Sequence, residues 1–163
     1  MKPEARFLVD AGIKGLPFPM RVVSKVQPEG QQTVADISIS ARIYREFEAG
    51  WIDRFVQVLH EHRDRVGTKT LRANIRDYME RLKALMVRVD FDYPFFIEKR
   101  TPVLQEKCLV RYRCTYSARC SDMKSEVAAI FTIQVPVITT YPVSADEVPA
   151  GLFGQLSAVT VEV

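Results

Sequence analysis

Histidine is scarce in this chain. Only His60 and His62 occur in 163 residues, and cysteine stops at three. Both histidines fall in "LHEH". On a helix, residues two apart point roughly 200° apart, so the pair does not share one metal. The spacing is not the His-Glu-x-x-His of a zinc protease either. Both are read as surface or helix-end residues. With both on one helix, no Ser/His/Asp set is suggested. Cys108, Cys114 and Cys120 are spaced by six, whereas zinc sites favour pairs two to four apart. On a strand, that even spacing puts Cys108 and Cys114 on one apolar face, where free thiols act as small hydrophobes. A reactive role, if any, falls to Cys120. "GIKG" at 12–15 lacks the frame of a phosphate loop, and neither Gly-x-Gly-x-x-Gly nor Gly-x-Ser-x-Gly is present.

Charge of one sign is also lacking. The 23 basic and 20 acidic residues leave a net +3, with no basic run of five or six. That excludes a nucleic-acid footprint. The opening "MKPEARFLVDAGIKG" has an apolar run of only three, too short for a signal peptide or a membrane span. An odd cysteine count without an export signal points to a reducing compartment, so a cytoplasmic location is expected. No internal repeat, low-complexity tract or linker stands out.

What is present is a 47% apolar chain, enough for one sizeable core and one compact domain. Residues 21–26 read as a short strand and "PEG" at 28–30 as a turn. In "QTVADISISARI", Ala35, Ile37, Ile39, Ala41 and Ile43 share one face, with Asp36, Ser38, Ser40 and Arg42 opposite. That alternation is a half-buried strand. The period then changes. Ile52, Phe55, Val56 and Leu59 predict a helix over 51–64, and Gly67 breaks it. Thr70 is placed to cap a second helix, with Leu71, Ile75, Tyr78, Met79, Leu82, Leu85 and Met86 as its stripe.

Alternation returns with Val87, Val89, Phe91, Tyr93 and Phe95, then with Cys108, Val110, Tyr112, Cys114, Tyr116 and Ala118. A strand over 126–140 and a short one over 157–163 close the chain, joined by a sixteen-residue loop marked by Tyr141-Pro142. A loop that long usually has a job. The expected class is α+β: an antiparallel sheet with two helices on one face and an added C-terminal β-hairpin. The opposite face alternates polar residues, and long strands of this kind can join edge to edge between subunits.

Two residues invite a ligand. Arg54 lies in the first turns of helix 1, where a helix N-terminus and a guanidinium together can hold a phosphate. The plainer alternative pairs it with Asp53 or Glu48. Glu98, in the charged loop "FIEKRTP", offers a carboxylate to a purine or pterin edge, or is simply solvated.

Several stretches resemble the type IB GTP cyclohydrolases. "GIKGLPFPMRV" is similar to the family's opening Gly-Ile/Val-Lys and Pro-containing strand, and "QTVADISISARI" to its Thr-Val-Ala strand. "WIDRFVQVLHEH" resembles its His-Met-Ser-Arg-Phe-Val-Glu-Ile-Leu helix. "DYPFFIEKRTPV" is similar to its Pro-Tyr-Phe, Lys and Ala-Pro-Val segment, and "VPVITTYPVS" to Val-Pro-Val-Thr-Thr-Leu-Cys-Pro-Cys-Ser. The likeness runs in order over residues 10–163. It implies the tunnelling fold, with a module at 1–125 and, at 126–163, a hairpin resembling the start of a second module. It also implies subunits joined through strand edges, with a purine- or pterin-like ligand at their interface.

The family opens the purine ring of GTP with a divalent metal, held by a cysteine of Cys-Pro-Cys-Ser and a histidine of Gly-Ala-His-Asn-Gln-Arg-Ser. Aligned without a gap, the cysteine positions carry Tyr141 and Val143, and the histidine position carries Phe153. The motif's Arg is Leu156, and the His after its Ser is Ala158. Pro142, Ser144, Gly151, Gln155 and Ser157 keep the frame. The family's Thr-His before helix 1 is Gly50-Trp51, while Arg54 and Phe55 remain. The resemblance further implies two more helices, two more strands and a base-anchoring Glu beyond the part matched. The expected ligand-binding set is therefore Arg54, Glu98, Tyr141, Ser144 and Gln155, with no catalytic residue, no metal and no cofactor. Three functions follow as expectations: a degenerate or repurposed ligand-binding relative, a cyclohydrolase active only with a partner chain such as a full-length relative, or a non-catalytic assembly subunit. No nucleic-acid or membrane partner is expected.

Overall fold

The computed structural model describes residues 7–101, 103–124, 126–140 and 154–163. Six strands form one antiparallel meander: β1 (Leu8–Val22), β2 (Gln31–Tyr44), β3 (Ala84–Arg100), β4 (Lys107–Cys120), β5 (Ala128–Thr140) and β6 (Gly154–Glu162). Between β2 and β3 come a short 3-10 turn at Arg45–Phe47 and two helices, α1 (Trp51–His62) and α2 (Thr68–Arg81). The α+β class, the antiparallel sheet and the order of elements match the expectation.

The alternation in the sequence sets the sheet's two faces. In β2, Ala35, Ile37, Ile39, Ala41 and Ile43 are all buried, and in β3 so are Val87, Val89, Phe91, Tyr93 and Phe95. These side chains and the apolar stripes of α1 and α2 form one core cluster. The opposite face carries cross-strand polar pairs. Arg42 donates to both oxygens of Asp10, at 2.8 and 3.1 Å, and Ser117 Oγ donates to Asp90 Oδ1 at 2.6 Å.

β1 departs from the strand predicted at 21–26, of which it takes only Arg21 and Val22. Between Ile13 and Leu16, three steps along β1 match two along β2. This bulge moves the inward set from Val9, Ala11 and Ile13 to Leu16, Phe18, Met20 and Val22. No single period survives to be read. Gly15 sits in the bulge at φ +64, a conformation that suits glycine. Pro17 and Pro19 look like strand breakers, yet β1 is an edge, where their missing N–H groups are tolerated.

The helices also differ in detail. α1 ends at His62, and its buried side chains are Trp51, Phe55, Val58 and Leu59. Ile52 is 53% exposed and Val56 is only half-buried. The larger Trp51 takes the inward position, which rotates the stripe by one residue. α2 begins at Thr68. Thr70 therefore lies in its first turn and reaches back, its hydroxyl accepting the Gly67 N–H at 2.8 Å. Lys83, at φ 50, reverses the chain after α2. Leu85 and Met86 consequently belong to β3, and Leu85 falls at the register shift against β2 and is exposed.

The segment between the helices is stitched to β1. Arg21 N–H donates to Arg63 O, and Val66 N–H donates to Arg21 O, each at 2.8 Å. His62 Nε2 lies 2.7 Å from Asp77 Oδ2, and Arg81 pairs with Glu61, so the helices are tied to each other. Neither helix extends over β6. The helix-side face past β4 is apolar and only half-buried at Phe131, Ile133 and Val135. β5 and β6 replace the strands predicted at 126–140 and 157–163, so Gly154, Gln155 and Leu156 leave the predicted loop for a strand.

Phe55 is fully buried, stacked on Trp51 and tilted against Tyr78. Phe55→Ala should lower unfolding free energy by about 3–5 kcal/mol in a urea titration. Ile52→Ala should change it by no more than about 0.5 kcal/mol. Equal effects would contradict the phase of α1.

Candidate ligand site

Arg54 stands in the first turn of α1. Gly50 precedes the helix at φ 73 and supplies no side-chain cap. The Arg54 Nη2 group reaches only the Ala49 carbonyl, at 3.5 Å. Its Nη1 and the indole Nε1 of Trp51 are buried without a hydrogen-bond partner among the described residues. Neither Asp53 nor Glu48 forms an ion pair with Arg54 there, so the surface pairing weighed from the sequence is not found. Buried donors without acceptors are unfavourable by about 1–3 kcal/mol each. The Trp51 and Arg54 amides are already taken by the Glu48 and Gly50 carbonyls and Asp53 lies in the first turn, so it is these two side-chain donors, at the positive end of α1, that make the corner suited to an anion.

Glu98 lies far from that corner. It sits on the outer face of β3, where Lys107 Nζ donates to its Oε1 at 3.0 Å. The β2 end that leads to α1 pairs at Ala84, fourteen residues before Glu98 along β3. At about 3.3 Å per residue the path is roughly 45 Å. One chain does not unite Arg54 and Glu98. Tyr141, Val143, Ser144 and Phe153 lie outside the described residues. Gln155 is placed by its backbone in β6, opposite Thr139.

The histidines and cysteines sit in structural positions. The His60 ring packs edge-on against Phe18, 5.2 Å between centroids. Cys114 and Cys120 are buried and Cys108 is half-buried, all as free thiols. The Cys120 thiol donates to the Asp122 carbonyl at 3.2 Å, a core position that does not suit a reactive role. Burial, helped by Asp92, pushes the Cys114 thiol up to about 11. Among the described residues no three His, Cys, Asp or Glu side chains gather to hold a metal ion. Among the described residues His62 is held by Asp77 and Cys114 and Cys120 are buried, while the positions aligned with the family's metal motifs, 141, 143 and 153, lie outside them. The sequence marks Arg54 as a cation at a helix start and Trp51 only as a departure from the family motif; that Trp51 Nε1 and Arg54 Nη1 are left without acceptors is decided by packing.

A family model described as type I GTP cyclohydrolase folE2 matches residues 2–163. The chain belongs to this GTP cyclohydrolase family. The GTP cyclohydrolase FolE2 of Citrifermentans bemidjiense is 32% identical over 152 residues, which is 93% of this chain and 55% of that protein. The FolE2 of Geobacter metallireducens is 29% identical over 150 residues, covering 92% of this chain and 56% of the relative. For Kosmotoga olearia the figures are 30% over 152 residues, 93% and 58%. The chain thus spans little more than half the length of these FolE2 relatives. No described helix is long and apolar enough to cross a membrane.

At pH 8 a thiol held near 11 is almost wholly protonated, because thiolate accumulates only as pH approaches that value. Iodoacetamide should therefore alkylate Cys108 first in the native protein. Cys114 and Cys120 should react only after denaturation, as read by peptide mass spectrometry. Rapid native labelling of Cys114 would contradict its placement.

Proposed function

We propose that this chain is a GTP-cyclohydrolase-family protein that binds a purine- or pterin-like ligand without metal-dependent hydrolysis of its own. The Arg54–Trp51 corner carries the binding half of this reading: two buried donor groups lack acceptors at an uncapped helix N-terminus. A nucleotide phosphate supplies the missing acceptors in charge-assisted form. The absence of hydrolysis rests on Tyr141, Val143 and Phe153, which stand where the family pattern has its cysteines and histidine.

Arg54 and Glu98 meet one ligand only if a neighbouring subunit provides one of them. We therefore place the site at a subunit interface, with Tyr141, Ser144 and Gln155 as further contacts. Residues 1–125 form a tunnelling-fold module, and 126–163 a hairpin equivalent to the opening of a second. Subunits join through strand edges. β6 is the open one: it carries no proline, and Leu156, Val159 and Val161 are exposed along it. No cofactor is needed, and the protein works in the cytoplasm.

A second reading is supported by length, since the matched part covers only 55% and 58% of two relatives that carry the cyclohydrolase name. A partner chain, such as a full-length relative, would then supply the Cys, His and Glu, and the assembly would hydrolyse GTP. A purely architectural subunit is the third reading, supported by the β6 edge alone.

Incubating the purified chain with GTP and zinc or manganese should give no ring-opened product by chromatography. Calorimetry should still detect GTP, with affinity about tenfold weaker in Arg54→Ala. Metal-dependent turnover by the chain alone, or a metal bound at one per chain, would overturn the degenerate reading.

A further inference from the structure

A large groove lies away from both Arg54 and Glu98. It is a groove of about 800 Å³ on the helix side of the sheet, where α2 starts and cover over β4 and β5 stops. Its floor is apolar and aromatic, including Tyr93, Tyr112, Tyr116 and Phe131. Arg54 belongs to the start of α1, near the opening end of β3. Glu98 points from the opposite face of β3.

Two features give this groove a polar end. Tyr116 is 2% exposed, and its hydroxyl has no hydrogen-bond partner among the described residues. Buried phenols are normally partnered. The Arg72 guanidinium also lines the groove and lies close enough to counter the rise that burial imposes on the Tyr116 phenol. Lys25 and Lys69 stand at the rim, and no acidic side chain lines the groove among the described residues. The first turn of α2 has no acidic residue either. Glu126 is the nearby exception, in an adjoining depression that also touches Lys69 and Arg72. Neither Lys69 nor Arg72 forms an ion pair among the described residues.

We infer that this groove binds an amphiphilic carboxylate, its apolar body on the aromatic floor and its carboxylate between Arg72 and the Tyr116 hydroxyl. A purine is a poor occupant, because no lining carboxylate among the described residues meets its N–H edge. The volume falls within the range of small-molecule pockets, mostly apolar with a few convergent polar groups. The carboxylate would give the Tyr116 hydroxyl an acceptor and Arg72 a planar counter-ion, the pairing a guanidinium favours. This site is independent of the nucleotide site proposed above.

The probe is dodecanoate, titrated into the full chain by calorimetry, with dodecanol as its uncharged counterpart. Dodecanoate should bind saturably and dodecanol at least about tenfold more weakly. Arg72→Ala should lose about tenfold for dodecanoate, and Tyr116→Phe a smaller factor, with little change for dodecanol. Both variants should keep the parent far-UV circular dichroism and melting cooperativity, since Arg72 is exposed and Phe preserves the ring. Failure of the parent chain to bind dodecanoate would overturn the inference. So would equal affinities for the two probes, or an unchanged affinity in Arg72→Ala. Binding of an acidic amphipathic peptide with dodecanoate excluded would overturn it in favour of a protein partner. GTP binding at Arg54 should persist in both variants, so this result and that of the nucleotide test can be told apart.

Discussion

One-sided burial governs this molecule. The inward side chains of β2, β3 and β4 are covered by two helices inserted between β2 and β3. Trp51, Phe55, Val58 and Leu59 from α1, and Leu71, Ile75, Tyr78 and Met79 from α2, complete that core. A sheet that buries one face must leave the other polar, and here the polar face is laced by cross-strand pairs such as Asp10–Arg42 and Asp92–Arg113. These pairs are exposed and contribute little stability. Their role is register, because a slip of one residue would turn the apolar set outward.

The two edges of the sheet are treated differently. β1 carries Pro17, Pro19, a bulge and the Asp10–Arg42 pair, all of which disfavour a further strand. β6 has one charged residue, Glu162, and no proline. Val159 and Val161 on its helix side, and Val163 just beyond it, continue the apolar floor of β5 through the pairs Val159–Val135 and Val161–Ile133 and the Val163–Phe131 backbone bonds. The uncovered groove and the unguarded edge are thus adjoining consequences of one fact: the helix layer ends before the sheet does. The match covers little more than half of the FolE2 relatives, and that open quarter is where further protein or a ligand has most to gain.

Much of this was legible because alternation survives where strands are regular. β2, β3 and β4 announce their inward faces residue by residue, and the two helices announce their number and order. β1 hid because its bulge changes the inward parity and its prolines mimic a loop. The face of α1 was misjudged by one position, since Ile52 and Trp51 are both apolar and only packing decides between them. Arg54 was visible as a cation at a helix start. Its lack of a partner is a fact of three dimensions, as is the unpartnered Tyr116 hydroxyl on what reads as an ordinary core strand. Glu98 and Arg54 could be named together but not separated, because periodicity carries no distance along a curved sheet.

Stability is concentrated under the helix pair and thins toward β6. Native-state hydrogen exchange measures this directly. The amides of 35–43, 87–95 and 112–120 should exchange only with global unfolding, while those of β6 exchange through local opening at a lower free energy. Uniform protection of all six strands, with β6 as slow as β3, would contradict the account.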